Sequence, residues 1–376
     1  MFSSRSSPPN PDPLRIAVVG HVRFPIGRPF AGGMEAHAFD LVRALIARGH
    51  DVRLFASADS DASLPVEPIV ERHYETDLPW ARWHGTPRFA DFQRRIFTDC
   101  WTRIEAFEPD IVHNNSLSSD LVRLAANASI PMVTTLHVPP FKQLSDAIAG
   151  SLRNPALRYA TVSHAQLSLW SPESHPAFDV IPNGIDTDRW RPCGNATGRA
   201  IWSGRITPTK GTADAVRAAR AAGIELDLFG PLEDEAYFAR EVAPFLSDRI
   251  RYHGSIDPDG LADAVARASV ALVTPRWDEP FGLVAAEALA CGTAVAGYRR
   301  GAIPEVVGSC GVLVEDGDVE GLALAIRQAC TISSADCRAR GLEFRHERMI
   351  AAYERAYAEA IASRSSSSSS TELELA

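Results

Sequence analysis

The run Asp278-Glu279-Pro280-Phe281-Gly282-Leu283-Val284-Ala285-Ala286-Glu287 places two carboxylates, Glu279 and Glu287, around a proline, a glycine and a stretch of small residues. Pro280 suits the first position of a helix, where its missing N–H costs nothing. Phe281, Gly282 and Leu283 then leave backbone N–H groups pointing out of a helix start, and Gly282 lets an anion come close. On this reading Glu279 lies just before the helix and Glu287 about two turns inside it. Such a helix end offers amides to a phosphate and carboxylates to hydroxyls on either side. Ribose diol, diphosphate and sugar diol follow one another in that order in a nucleotide-sugar.

A second run, Ser203-Gly204-Arg205-Ile206-Thr207-Pro208-Thr209-Lys210-Gly211, sits between an expected strand and an expected helix. Arg205 can grip a phosphate in forked geometry, and Lys210 acts as a mobile point charge. Alone, the pair could be two solvated cations at a turn. The glutamate helix downstream favours the phosphate reading.

These residues need elements that aim them. Arg15–Val19 reads as a first buried strand, followed by a Gly32-Gly33 turn. A helix over residues 35–48 comes next, with Phe39, Val42, Leu45 and Ile46 on one face. Gly49 closes that helix and residues 52–56 form the next strand. Residues 110–113, 132–137, 159–163 and 179–182 are further strand candidates, which implies a parallel sheet covered by helices. The pattern restarts with strands at 200–203, 225–229, 250–253, 270–274, 294–297 and 312–314. The turn-rich Pro182-Asn183-Gly184-Ile185-Asp186 marks a boundary near residue 185. Two Rossmann-like α/β domains are expected, over residues 15–185 and 186–344. Residues 1–14 read as a disordered lead-in, 345–361 as a helix packing back on the first domain, and 362–376 as a disordered tail. Ligands of open α/β sheets bind beyond the carboxyl ends of the strands, so facing domains would collect these motifs in one cleft.

Composition narrows the classes. A hydrophobic fraction of 45% and charged fraction of 23% fit a globular enzyme, and a net charge of −9 argues against a general nucleic-acid binder. No apolar run approaches the roughly 18 residues needed to span a bilayer, and the N-terminus lacks the apolar region of a secretory signal. Six cysteines without a C-x-x-C pair suggest reduced thiols in a cytoplasmic protein.

The ordered set GG-x-E near the N-terminus, TLH after a mid-domain strand, IPNGID, SGR-x4-KG and E-x7-E resembles the retaining glycosyltransferases of family 4, over about residues 15–360. The resemblance implies a GT-B fold whose parallel sheets face across a cleft, and a nucleotide-sugar donor. By it, Arg205 and Lys210 hold the diphosphate, Glu287 takes the ribose hydroxyls and Glu279 those of the transferred sugar. Phe281, Gly282, Leu283 and Val284 would supply amides, Gly32 and Gly33 would cover the diphosphate, and His137 would contact the donor sugar. His21 is a second histidine for the same cleft. Retention by front-face attack on a UDP-hexose or UDP-N-acetylhexosamine, with a hydroxyl acceptor, is implied in the same way.

Four D-x-D strings, at 59–61, 186–188, 257–259 and 316–318, fall in turn-rich stretches where chance explains them; no metal or other cofactor is expected. Residues 82–97 carry Arg82, Arg88, Arg94 and Arg95 among aromatics and could touch the inner face of a membrane. An ordinary helix with Phe89, Phe92 and Ile96 in the core is the preferred reading. Arg23 and Arg28 are better placed to meet an acidic acceptor. The alternatives are a nucleotide-sugar epimerase and a non-catalytic binding protein. A nicotinamide dehydrogenase is disfavoured because no G-x-G-x-x-G follows the first strand.

Overall fold

Among the described residues every strand pairs in parallel. The structure, a computed structural model, describes residues 12–194 and 196–374, so most of the expected lead-in lies outside the described residues. The chain divides into two compact units. The first comprises residues up to Thr161, Leu167–Ile181 and the stretch from Ile350 onward; the second comprises Val162–Gln166 and Pro182–Met349.

The first unit holds β1 (Arg15–Val19), β2 (Asp51–Ser57), β3 (Val66–Val70), β4 (Ile111–Asn114), β5 (Met132–Leu136), β6 (Leu157–Thr161) and β7 (Phe178–Val180). They lie in the order β3-β2-β1-β4-β5-β6-β7. The central strands β4 and β5 are buried along their whole length, as helices on both faces require. Sequence periodicity misses β3, whose Pro68 removes a ladder donor; the strand is tolerated because it lies at the sheet edge.

Helix α1 (Gly33–Ala47) buries Phe39, Val42 and Leu45 as expected, but Leu41 takes the place foreseen for Ile46, which is 42% exposed. Helix α2 (Pro87–Phe107) begins with a Thr86 hydroxyl accepting from the Phe89 N–H. It sends Phe89, Ile96 and Phe97 into the core. Arg82, Arg88, Arg94 and Arg95 are left exposed, which is the ordinary-helix arrangement.

The second unit holds β8 (Arg199–Ser203), β9 (Glu225–Phe229), β10 (Ile250–Tyr252), β11 (Val270–Val273), β12 (Val295–Tyr298) and β13 (Gly311–Val314), in the order β10-β9-β8-β11-β12-β13. Helices α3 (Thr212–Ala222) and α4 (Leu283–Ala290) belong to this unit.

The last helix, α5 (His346–Glu374), is longer than expected: its backbone runs through most of the serine-rich stretch read as a tail. Extending an existing helix adds one hydrogen bond per residue fixed, without a new nucleus. Its Tyr353 and Tyr357 are fully buried in the first unit. Tyr353 Oη lies 3.1 Å from Thr135 Oγ1, and Tyr357 Oη 2.5 Å from His113 Nδ1. Glu354 pairs with Arg48 at 2.5 Å and with His50 at 3.2 Å.

Candidate active site

In the second unit the candidate side chains stand in the loops beyond the carboxyl ends of β8, β9 and β11. The loop after β8 carries Arg205 and closes in a short 3-10 turn, Pro208–Lys210. Gly211 follows with φ +68, and a Cβ there would lie 2.1 Å from the Thr274 carbonyl oxygen. Only glycine satisfies both conditions. The Thr274 hydroxyl accepts from Trp202 Nε1 at 3.1 Å and lies 3.0 Å from both the Lys210 and Gly211 carbonyls, to which it donates. The end of β11 is thereby fixed to the base of the lysine.

Lys210 Nζ reaches across to Glu279, 3.0 Å from Oε1 and 2.9 Å from Oε2. It also sits 5.3 Å from the centre of the Trp277 ring. The two side chains are only 24 and 16% exposed, so this ion pair is shielded from most of the solvent screening that weakens surface pairs. Arg205 takes a different partner. Its guanidinium donates to Glu233 at 2.9 and 2.7 Å, with both side chains about half exposed. Glu233 had no local sequence signal. It arrives because the loops after β8 and β9 run together, with Ile206 N–H donating to Pro231 O at 2.9 Å.

The helix start differs from expectation. Pro280 is not its first residue; α4 begins at Leu283, capped by Gly282 at φ +95. The Pro280 carbonyl instead accepts from Ser163 Oγ at 2.7 Å. Phe281 is buried, with its ring 5.4 Å from that of Phe344. A left-handed glycine cannot continue a helix backwards, so Glu279, Pro280 and Phe281 form the turn before it. Leu283 and Val284 are the first helical residues, whose N–H groups lack intrahelical partners. Glu287 is the fifth helical residue, just over one turn in rather than two. Its half-buried carboxyl is pushed up to about 7 by burial, against a smaller pull downward from Arg189.

In the first unit, Gly32 caps α1 in extended backbone with no side-chain cap, and Gly33 is the first helical residue. Both are exposed. His137 follows β5 and is buried, its Nε2 2.9 Å from Asn115 Oδ1 and its ring 4.6 Å from that of His37. Burial, with His113 and His21 adding to it, lowers its pKa to about 3. His21 is held to about 4 for the same first reason. Both imidazoles are therefore neutral at pH 7. Arg23 is paired with Glu75 at 2.8 Å, while the exposed Arg28 lies over the rings of Phe30 and Phe39.

Among the described residues no group of three or more His, Cys, Asp or Glu is placed to hold a metal ion. The aspartate pairs serve turns and caps. Asp257 caps the helix Pro258–Arg267 and Asp318 the helix Val319–Ala329, while the Asp186 carboxylate accepts from the Asp188 and Arg189 amides. No helix among the described residues is long and apolar enough to cross a membrane.

Comparison with known proteins agrees with this layout. The profile of Glycosyltransferase Family 4 matches residues 31–189, and that of Glycosyl transferases group 1 matches residues 198–331. The chain is 28% identical over 364 residues to a D-inositol 3-phosphate glycosyltransferase of Mycolicibacterium vanbaalenii, across 82% of this chain and 80% of that protein. It is 27% identical over 348 residues to a glycogen synthase of Mycobacterium tuberculosis, across 79 and 82%. Among solved structures, Anabaena HepE in complex with UDP-glucose aligns with a TM-score of 0.66 at 20% identity, over 93% of this chain and 100% of that one. Two parallel-sheet units carrying these motifs in this order make the chain a glycosyltransferase of the GT-B fold, whose first part belongs to Glycosyltransferase Family 4 and whose second part belongs to the group 1 glycosyl transferases.

Proposed function

We propose that the protein transfers a sugar from a nucleotide-sugar, a UDP-hexose or UDP-N-acetylhexosamine, to a hydroxyl acceptor with retention and without a metal. The observation that carries this reading is the ion pair between Lys210, from the loop after β8, and Glu279, from the turn that leads into the open N-terminus of α4. A diphosphate arriving there exchanges the Glu279 carboxylate for its own oxygens as the partner of Lys210. Glu279 is released to accept from sugar hydroxyls, while the Leu283 and Val284 amides face the anion. Arg205 makes the same exchange from Glu233.

As the sugar–phosphate bond breaks, negative charge grows on the leaving diphosphate. Fixed donors aimed at that charge favour the transition state over the ground state. Attack from the leaving-group side lets the departing phosphate take the acceptor's proton, so no carboxylate nucleophile is required. HepE, solved with UDP-glucose, supports a uridine donor. The relatives are named for inositol 3-phosphate and for glycogen, both of which carry free hydroxyl groups. Six unpaired cysteines suit a reducing, cytoplasmic setting.

Incubation with UDP-glucose and UDP-N-acetylglucosamine should release UDP slowly, to the same extent with and without EDTA. Glu279→Gln and Arg205→Ala should each lower that rate by about 10²–10³-fold while the fold persists. Epimerised nucleotide-sugar without UDP release, tight binding with no turnover, or wild-type rates in both variants would each overturn the reading.

A further inference from the structure

The turn after β12 does not appear in any of the motifs that define the site, yet it is the segment that packs on the backbone of Glu279. Gly301 has φ +52, and a Cβ built there would lie 2.3 Å from the Glu279 carbonyl oxygen, 2.4 Å from the Glu279 nitrogen and 2.7 Å from the Asp278 carbonyl carbon. Such distances leave no room for any side chain. The next residue, Ala302, donates its N–H to the Glu279 carbonyl at 2.9 Å. On the other side, Arg300 Nε lies 3.3 Å from the Asp278 carboxylate, and its NH1 3.7 Å from that of Asp316.

The turn is itself anchored to the sheet. Arg299 N–H donates to Val314 O at 2.8 Å, and Ile303 N–H to Arg300 O at 3.1 Å. Ile303 Cδ1 stands 2.5 Å from where a Cβ on Gly282 would be. One short segment therefore presses on the residue before Glu279, on Glu279 itself and on the cap of α4. Backbone-to-backbone packing of this kind transmits displacement, because neither side can yield by changing a rotamer.

We propose that Gly301 is a positioning residue for the transfer reaction. Its positive-φ backbone without a side chain seats the Glu279 turn against β12, which fixes the carboxylate at Lys210 and hence the register in which the transferred sugar is held. The inference rests on the function proposed above, but its first consequence can be read without substrate. Of the 38 lysines and arginines, only Lys142 and Lys210 are lysine. Lys142 is 83% exposed and serves as an internal reference for amine reactivity, whereas Lys210 is held by Glu279.

The test compares full-length wild type, Gly301→Ala and Gly308→Ala. Gly308 is another positive-φ glycine of the same unit, at φ +56 and ψ −129, where the nearest group to an added Cβ is Arg340 Nε at 3.7 Å. It reports positive-φ strain without contact to Glu279. Each protein is treated with a limiting N-hydroxysuccinimide ester, and acylation at Lys210 and Lys142 is quantified by peptide mass spectrometry. In Gly301→Ala the Lys210-to-Lys142 ratio rises severalfold; in Gly308→Ala it stays at the wild-type value. With UDP-glucose as probe, kcat/KM in Gly301→Ala falls by about 10²-fold, the scale expected of a misplacement near 1 Å, while inhibition by UDP alone is unchanged.

Arg300→Gln loosens the same turn without glycine strain and gives a smaller shift in both readouts, which keeps the test alive should Gly301→Ala fail to fold. Wild-type acylation ratios and kinetics in the folded variants overturn the proposal. Absence of UDP-glucose turnover in the wild type would instead overturn the functional reading, leaving the acylation ratio to judge the positioning role.

Discussion

The side chain that meets Glu279 is a lysine and not an arginine. In a chain that otherwise uses arginine almost throughout, the residue facing Glu279 keeps a compact ammonium with three rotatable donors on a flexible stem. Burial raises the Glu287 pKa to about 7, so the folded protein binds more protons there than the unfolded chain between about 4.5 and 7. Stability from this group is present at low pH and lost as pH rises through that window. Replacing it with a neutral isostere should therefore stabilise the protein in alkali and weaken the donor site. Glu287→Gln is expected to raise the urea midpoint at pH 8 but not at pH 5. It should also raise KM for the nucleotide-sugar by about tenfold or more, the scale of one charged hydrogen bond. An unchanged KM would remove Glu287 from ribose recognition.

Among the elements, the start of α4 decides most. Its cap is a left-handed glycine backed by Ile303, which turns the preceding segment away from the helix axis and leaves the first two amides open. Gly282→Ala combines a φ of +95 with a contact of 2.5 Å and should cost about 2–4 kcal/mol, measured by urea unfolding. A loss below ~0.5 kcal/mol would mean that this cap is not the constraint it is taken to be. The same element shows why the sequence misplaced the helix start. Pro280 is a good first-turn residue by local preference, but its carbonyl is claimed by Ser163 and the neighbouring Phe281 by the core. Tertiary partners outweighed a local propensity. β3 was missed for a related reason: Pro68 argues against a strand everywhere except at an edge, and edge position is not a local property.

Across the whole molecule, acid sensitivity follows from histidines buried as neutral rings. His113 is fully buried between Tyr357 and Thr135, and burial, followed by the neighbouring His37, lowers its pKa to about 3. With His137 at about 3 and His21 at about 4, three groups take up protons more readily when unfolded. Their contribution is complete above about pH 6.5 and is lost as pH falls from there toward 3. Glu287 acts in the reverse direction but is a single group against three, so net stability should fall on acidification. The urea midpoint is expected to be lower at pH 5 than at pH 7.5, and His113→Gln should flatten that dependence. A midpoint that rises toward pH 5 would contradict it.

By itself the sequence determined the class of the fold, the order of its strands along the chain apart from β3, and the identities of Arg205, Lys210, Glu279 and Glu287 as site candidates. Strand periodicity and motif spacing are properties of neighbouring residues and survive without coordinates. The structure alone decided the pairings: Arg205 with Glu233, Lys210 with Glu279 over Trp277, and Gly301 beneath the Glu279 backbone. Those partners lie 28, 69 and 22 positions apart in the chain. A parallel sheet brings the ends of strands together that are distant in sequence, so no local pattern could have announced them.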